Sequence, residues 1–256
     1  MKILFVGNSF SEDTVEHAVN IAHSFGIENV KIGTLYVGGC SIEMHYNHIS
    51  TDVPVYLYHL NEGDGWSSTE NFKISDALKS DDWDWVVIQH GTRGTSRYTS
   101  IECYEKLSPL IDKIKAIINK DVKIAFNLTW MGEPTNPHHE IVSYGGNVGL
   151  MREKLIEVTQ KVVLSNPKID VLIPTGTAVE NARTSNIGIL TRDTYHLSFD
   201  KGRFIAGLTL ISTLTGIDAS KVSWVPDGVD EYAKSVAIES VQNAIADPLK
   251  ITKSKL

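Results

Sequence analysis

The stretch MKILFVGNSFSED, Met1–Asp13, decides how the chain folds. Its apolar run, Ile3–Val6, stops at Gly7 and gives way at once to Asn8, Ser9 and Ser11; Val15, Ala18, Ala22 and Phe25 then recur at helical spacing over Asp13–Phe25. A buried strand turning sharply into a helix is the opening unit of an α/β sheet. The rhythm continues along the chain. Runs rich in Val, Ile and Phe stand at Lys2–Val6, Val30–Tyr36, Trp85–Gln89, Lys123–Asn127 and Asp170–Ile173, with helical patterns between them at Tyr104–Ile118 and Gly149–Leu164. Two more helices, Lys201–Thr215 and Asp230–Ala246, follow the last strand. Parallel strands need helical crossovers, so a five-stranded parallel sheet covered on both faces is expected. Val53–Asn61 and Trp66–Phe72, flanking EGDG, predict a β-hairpin inserted before the third strand, as decoration or as a pocket wall.

Composition narrows the function classes. The chain has 256 residues, 42% hydrophobic and 21% charged, with no linker, charge block or repeat to divide it, so a single domain over 1–256 is expected, its end at 248–256 a loose, frayed tail. Its 31 acidic residues against 24 basic ones give a formal charge of −7, and no Lys/Arg stripe offsets it; nucleic acid is not an expected partner. Two cysteines, Cys40 and Cys103, are too few for a secreted disulfide framework or a structural zinc site. The first strand begins at the second residue and no apolar run approaches the roughly 18 residues that span a bilayer, so a cytoplasmic protein without a membrane partner is expected.

In parallel sheets ligands sit outside the C-terminal strand ends, so the loops after the strands are where chemistry is sought. They are polar: GNSFS (Gly7–Ser11), GGCS (Gly38–Ser41), QHGTRGTS (Gln89–Ser96), NLTWMGEPTNPHH (Asn127–His139) and PTGTAVENAR (Pro174–Arg183). A serine after a strand is most often a helix cap. It becomes a nucleophile only with a base to take its proton and a third group to orient the base. TRDTYHLSFDKG supplies both, since Asp193 and His196 are three apart, a spacing that on a helical turn brings carboxylate and imidazole to one side. Ser9, His196 and Asp193 thus fill the roles of nucleophile, base and orienter.

With these residues the chain resembles the SGNH/GDSL-type serine esterases, and within them a bacterial branch described as a domain of unknown function. The shared elements are GNSFS at Gly7–Ser11, GGxS at Gly38–Ser41, Gln89 ending the third strand, Thr129-Trp130, the Pro174–Arg183 segment and D-x-x-H-L-S at Asp193–Ser198. The resemblance implies a flavodoxin-like three-layer α/β/α sandwich. It also implies an oxyanion hole made by the N–H of Ser9, a glycine N–H after the second strand, Gly39 or with a shift of one Gly38, and a side-chain amide. Where the family commonly reads G-x-N-D this chain reads Gly91-Thr92-Arg93-Gly94, so the usual Asn is missing; Gln89 takes the donor role, with Arg93 as competitor.

Other residues have two readings each. Trp130 is a stacking wall for a sugar ring or a core plug, and Arg183 grips a substrate oxygen or pairs with a carboxylate. Cys40, beside the proposed oxyanion glycine, is a mildly reactive thiol or a small packed side chain. His45 and His48 are three apart without a convincingly spaced third ligand, and His138-His139-Glu140 fares no better, so neither metal nor cofactor is expected. The function expected is hydrolysis of short acyl esters, acetyl foremost, of a carbohydrate or other polar alcohol through an acyl-Ser9 enzyme. Three alternatives stand beside it: a phosphate, nucleotide or flavin binder on the same loop, a glycan binder that has lost turnover, and an acyltransferase.

Overall fold

The computed structural model describes the chain except residues 91–98, 119 and 137–138, together with the side chains of 139 and 140. In order the elements are β1 (Lys2–Gly7), α1 (Ser9–Val15), α2 (Ala18–Ser24), β2 (Lys31–Tyr36), α3 (Ile42–Thr51), β3 (Tyr56–Asn61), β4 (Trp66–Phe72), α4 (Ile74–Lys79), β5 (Trp85–Gln89), α5 (Leu107–Ile118) and β6 (Lys123–Asn127). After them come α6 (His139–Ser143), α7 (Val148–Val158), β7 (Val171–Ile173), α8 (Thr175–Arg183), α9 (Lys201–Thr215) and α10 (Glu231–Ala246). The result is a mixed α/β fold with a central, mainly parallel sheet and flanking helices.

The described chain forms two compact units, Met1–Ser11, Asn29–Asn127 and Lys154–Leu172 on the one hand, Glu12–Glu28, Leu128–Glu153 and Ile173–Leu256 on the other. The first holds the sheet, ordered β4-β3-β2-β1-β5-β6-β7. β1 runs parallel to both β2 and β5, and β5 parallel to β6. Ile3, Leu4, Phe5 and Val6 have no exposed surface, nor do Val86, Val87 and Ile88. Strands buried on both faces read as unbroken apolar runs, which is why these were legible without alternation. The predicted hairpin is present as β3 and β4, and it is part of the sheet: β3 pairs antiparallel with β2 and β4 with β3, carrying the expected five strands to seven. β4, largely exposed along Ser67–Asn71, forms the polar edge.

The second unit is built on α9, a nearly fully buried helix that packs against α2, α8 and α10. Segment Pro174–Arg183, expected as a loop, is helix α8 from Thr175 onward. Its small residues carry little helical periodicity because close packing needs them small. A Cβ on Gly176 would stand 2.1 Å from the Thr129 carbonyl oxygen, and the Gly176 N–H donates to Leu128 O at 2.6 Å.

Other boundaries differ too. The helix expected over Asp13–Phe25 begins earlier, at Ser9, and breaks between α1 and α2 around Glu16-His17. The one expected over Gly149–Leu164 ends its α-turns at Val158 and passes into π-turns over Thr159–Leu164. The chain end is not frayed. Thr252 N–H donates to Asn181 Oδ1 (2.6 Å), Ser254 N–H to Thr184 Oγ1 (2.8 Å) and Lys255 N–H to Glu239 Oε1 (3.0 Å), which seats it along α8 and α10. Among the described residues no helix is long and apolar enough to cross a membrane.

Candidate active site

In the first unit β1, β5 and β6 end side by side, and a buried ladder of amides crosses their ends. Asn8 is its hub. Oδ1 accepts from Phe10 N–H (3.1 Å) and from Gln89 Nε2 (2.8 Å), while Nδ2 donates to Cys40 O (3.1 Å) and His90 O (3.2 Å). That uses every hydrogen-bonding position of the side chain. The ladder continues where Asn127 Nδ2 donates to Gln89 Oε1 at 3.3 Å. By accepting from Phe10, Asn8 also caps α1, and its own N–H and carbonyl close a tight turn with Ser11. Ser9 therefore opens the helix. Across residues 3–11 it is the one residue that is not buried, which places its side chain at the water-facing limit of the strand–helix junction.

Gly38 and Gly39 follow β2 in a turn closed by Cys40 N–H to Val37 O at 3.0 Å. Gly39 takes φ +63°, a left-handed conformation that side chains resist, so a glycine at that position is a backbone requirement of this turn. Gln89 has no exposed surface; Nε2 donates one hydrogen to Asn8 and Oε1 accepts from Asn127, so the side chain is a strut of the ladder. Arg93, the competing donor, lies outside the described residues.

The second unit holds Asp193 and His196. Asp193 Oδ2 is 2.7 Å from His196 Nδ1, while Oδ1 accepts the backbone N–H of Tyr195 (3.1 Å) and of His196 (2.6 Å). Partial burial pushes the Asp193 carboxyl upward, but the hydrogen bonds from the His196 ring and from the His196 and Tyr195 backbone outweigh it and hold the group below its ordinary value. The carboxylate is thus ionised at neutral pH and, as acceptor, favours the imidazole tautomer with its proton on Nδ1.

The two residues meet on a tight bend and not on a helical turn. A bridge between Thr191 and Leu197 closes the loop, and Thr194 sits at φ +67°, costly for a β-branched residue. Its surroundings impose that conformation. Thr194 O accepts from Glu133 N–H (2.7 Å) and Asn136 Nδ2 (3.2 Å), and Asn136 Nδ2 also reaches Thr194 Oγ1 at 3.0 Å. Gly132 lets the bend come close, since a Cβ there would lie 3.3 Å from Thr194 O and from the Tyr195 ring.

Trp130, one of whose readings was a stacking wall, has no exposed surface; its indole N–H donates to Tyr195 O at 2.8 Å, so it is a core residue that anchors the bend. Arg183 is likewise structural. It pairs with Glu133 (2.8 Å) and Glu180 (2.6 Å) and donates to Met131 O (2.9 Å), and Glu133 in turn accepts from Thr191 Oγ1 at 3.1 Å.

Asp13, at the start of the helix expected over Asp13–Phe25, anchors the other end of the bend. Fully buried, it accepts Leu197 N–H (2.9 Å) and pairs with Arg192 (2.8 Å) and Arg203 (2.9 Å). An aspartate at the start of a helical pattern has many uses, and its arginines lie about 180 residues away, with separations of 179 and 190 positions, so no local signal identified it.

A family model described as "Domain of unknown function (DUF4886)" matches residues 2–244. The chain is similar to the crystal structure of a DUF4886 family protein from Bacteroides uniformis ATCC 8492, with 32% identity, a TM-score of 0.92, and 99% of this chain and 97% of that one covered. Distant similarity extends to a catalytic mutant of Axe2, an acetylxylan esterase from Geobacillus stearothermophilus (11% identity, TM-score 0.48, 88% and 96% covered). It also reaches the structure of TesA (12% identity, TM-score 0.48, 98% and 100% covered). At that distance neither bears on the chemistry of this chain. No curated protein matches it.

Proposed function

The chain belongs to the DUF4886 family, and on that footing we propose that it is an SGNH-type serine esterase that removes short acyl groups, acetyl foremost, from a carbohydrate or other polar alcohol. The observation that carries this reading is the Asp193–His196 pair, a carboxylate 2.7 Å from an imidazole nitrogen on a bend that costs backbone strain to hold. A helix cap or a surface turn needs no such orientation of a histidine. A strained bend over-determined by Glu133, Asn136 and Trp130 is the usual mark of a site where geometry matters.

In the proposed reaction His196 Nε2 takes the Ser9 Oγ proton as Oγ attacks the ester carbonyl. Asp193 stabilises the imidazolium, and the tetrahedral oxyanion accepts hydrogen bonds from the backbone N–H groups of Ser9 and Gly39. His196 then protonates the departing alcohol. Water, deprotonated by the same imidazole, releases the acid from the acyl-Ser9 enzyme. The polar character of the strand-end loops favours small acyl groups and a polar alcohol over a lipid. A cytoplasmic location, with no membrane or nucleic-acid partner, completes the proposal.

The test is p-nitrophenyl acetate hydrolysis by the native protein and by Ser9→Ala and His196→Ala, together with mass spectrometry after a fluorophosphonate probe. Turnover lost in both variants, with the probe on the Ser9 peptide, is the expected result. A folded native protein that neither turns over nor labels would overturn the esterase and favour a glycan or phosphate binder. Turnover seen only with an added alcohol acceptor would make it an acyltransferase.

A further inference from the structure

Beside the Gly38–Gly39 turn, and unused by the proposed reaction, lies a group of side chains with metal-binding chemistry. Cys40 ends the turn, and His45 and His48 stand three apart on α3, whose N-cap is Ser41. One ligand atom from each lies within 4.8 Å of the others. Cys40 Sγ is 3.5 Å from His45 Nδ1, and Tyr56 Oη, from β3, is 2.9 Å from His45 Nδ1 and 3.3 Å from His48 Nδ1. Cys40 Sγ also lies 3.9 Å from Ser41 O.

These separations have a geometric meaning. With Zn–S bonds of about 2.3 Å and Zn–N bonds of about 2.0–2.1 Å, tetrahedral angles put a sulfur about 3.5 Å from a nitrogen and two nitrogens about 3.3 Å apart. Three of the edges, Cys40 Sγ to His45 Nδ1 and Tyr56 Oη to each imidazole, measure 2.9 to 3.5 Å, and the three ligand atoms of Cys40, His45 and His48 all lie within 4.8 Å of one another. The thiol, the two imidazoles and the phenol oxygen thus converge on one another in a nearly dry pocket, an arrangement that one cation can share.

We propose that Cys40, His45 and His48 bind one zinc-type divalent cation, with Tyr56 Oη in the fourth position. A thiolate with two imidazoles selects zinc over the oxygen-seeking magnesium and calcium. Cys40, His45 and Tyr56 are essentially without exposed surface, while His48 is half-buried and gives the ion a way in. Four protein donors leave no open position, so the ion is structural. Binding displaces the Cys40 thiol proton to solvent and joins the turn, α3 and β3 at one point. Because Asn8 Nδ2 donates to Cys40 O, the ion also braces the outer end of the amide ladder. The inference does not depend on the esterase reading.

The experiment is titration of chelator-treated protein with Co2+, followed by Zn2+ competition and read by absorbance. A near-ultraviolet thiolate-to-cobalt band saturating at one equivalent and erased by zinc is expected. The band should vanish in Cys40→Ser, persist in Cys103→Ser, and require at least about a hundredfold more cobalt in His48→Gln, since losing a ligand costs more than losing an outer-shell partner. His48→Gln, at a half-buried position, keeps the test open if Cys40→Ser does not fold. No thiolate band in folded native protein would overturn the proposal. So would a band that survives Cys40→Ser or is lost with Cys103→Ser.

Discussion

Asp193 and His196 face each other at 2.7 Å across a bend whose middle residue, Thr194, is held left-handed by contacts from Glu133 and Asn136. The pair is orientated by structure around it and not by its own three-residue spacing. Asp193→Asn leaves a side chain of the same shape but removes the charge that sets the imidazole tautomer. It should lower kcat for p-nitrophenyl acetate by about 10³–10⁴ while the unfolding midpoint stays near native. A loss below tenfold would remove Asp193 from the mechanism.

Trp130 acts on this pair at one remove. Trp130→Phe keeps an aromatic plug but leaves Tyr195 O without the indole donor, at a cost of about 1–3 kcal/mol in stability. Freed of that anchor, the bend should lose kcat by up to about a hundredfold with little change in KM, the signature of misplacement and not of lost binding. A raised KM at unchanged kcat would return Trp130 to the substrate-contacting role.

Gln89 separates a structural from a catalytic role cleanly. Gln89→Leu removes one hydrogen bond from Asn8 Oδ1 and one from Asn127 Nδ2, and urea unfolding should show a loss of about 1–3 kcal/mol at roughly 0.5–1.5 per lost bond. Activity per folded molecule should stay within tenfold of native. An oxyanion donor would instead cost about 100- to 1,000-fold in rate.

Gly176 has no room for a side chain, because a Cβ would meet the Thr129 carbonyl carbon at 2.6 Å and its oxygen at 2.1 Å. Backbone is on both sides of that clash, so Gly176→Ala should displace the start of α8 and cost about 3 kcal/mol or more, read as a lowered midpoint in thermal and urea unfolding. Gly188→Ala, where no atom lies within 4 Å but φ is +91°, should cost about 1 kcal/mol through backbone strain alone.

Acid should weaken the fold through two buried histidines. Burial, helped at His45 by the nearby His48 charge, lowers the pKa of His45 to about 3, and burial alone lowers that of His90 to about 3, against 6.5 for the free side chain. Between those values the unfolded chain binds protons that the native one refuses. Stability is therefore complete above pH 6.5 and falls as pH drops toward 3, by at most about 1.4 kcal/mol per pH unit for each histidine. Urea unfolding in chelator at pH 7, 6 and 5 measures the slope, and His90→Gln should flatten it. An equal slope in that variant would assign the acid sensitivity elsewhere.

The sequence by itself determined the parallel strands, the hairpin and the end of the first strand at Gly7, though it put the start of the following helix at Asp13 and not at Ser9. Their signals are local: unbroken apolar runs, a turn-forming EGDG, and a glycine followed by capping residues. It also brought Asp193 and His196 into one short segment. Tertiary structure alone decided what surrounds them. That Gln89 is buried and bonded to Asn8, just past β1, and to Asn127, at the end of β6, is set by the fold. Trp130 and Arg183 look available until Tyr195 O, Glu133 and Glu180 engage them. His45 and His48 lack a third ligand until the chain folds Cys40 beside them and Tyr56 arrives from β3. In each case the partner is an atom delivered by another element, and the composition of a segment carries the chemistry of its side chains but not the identity of what the fold sets against them.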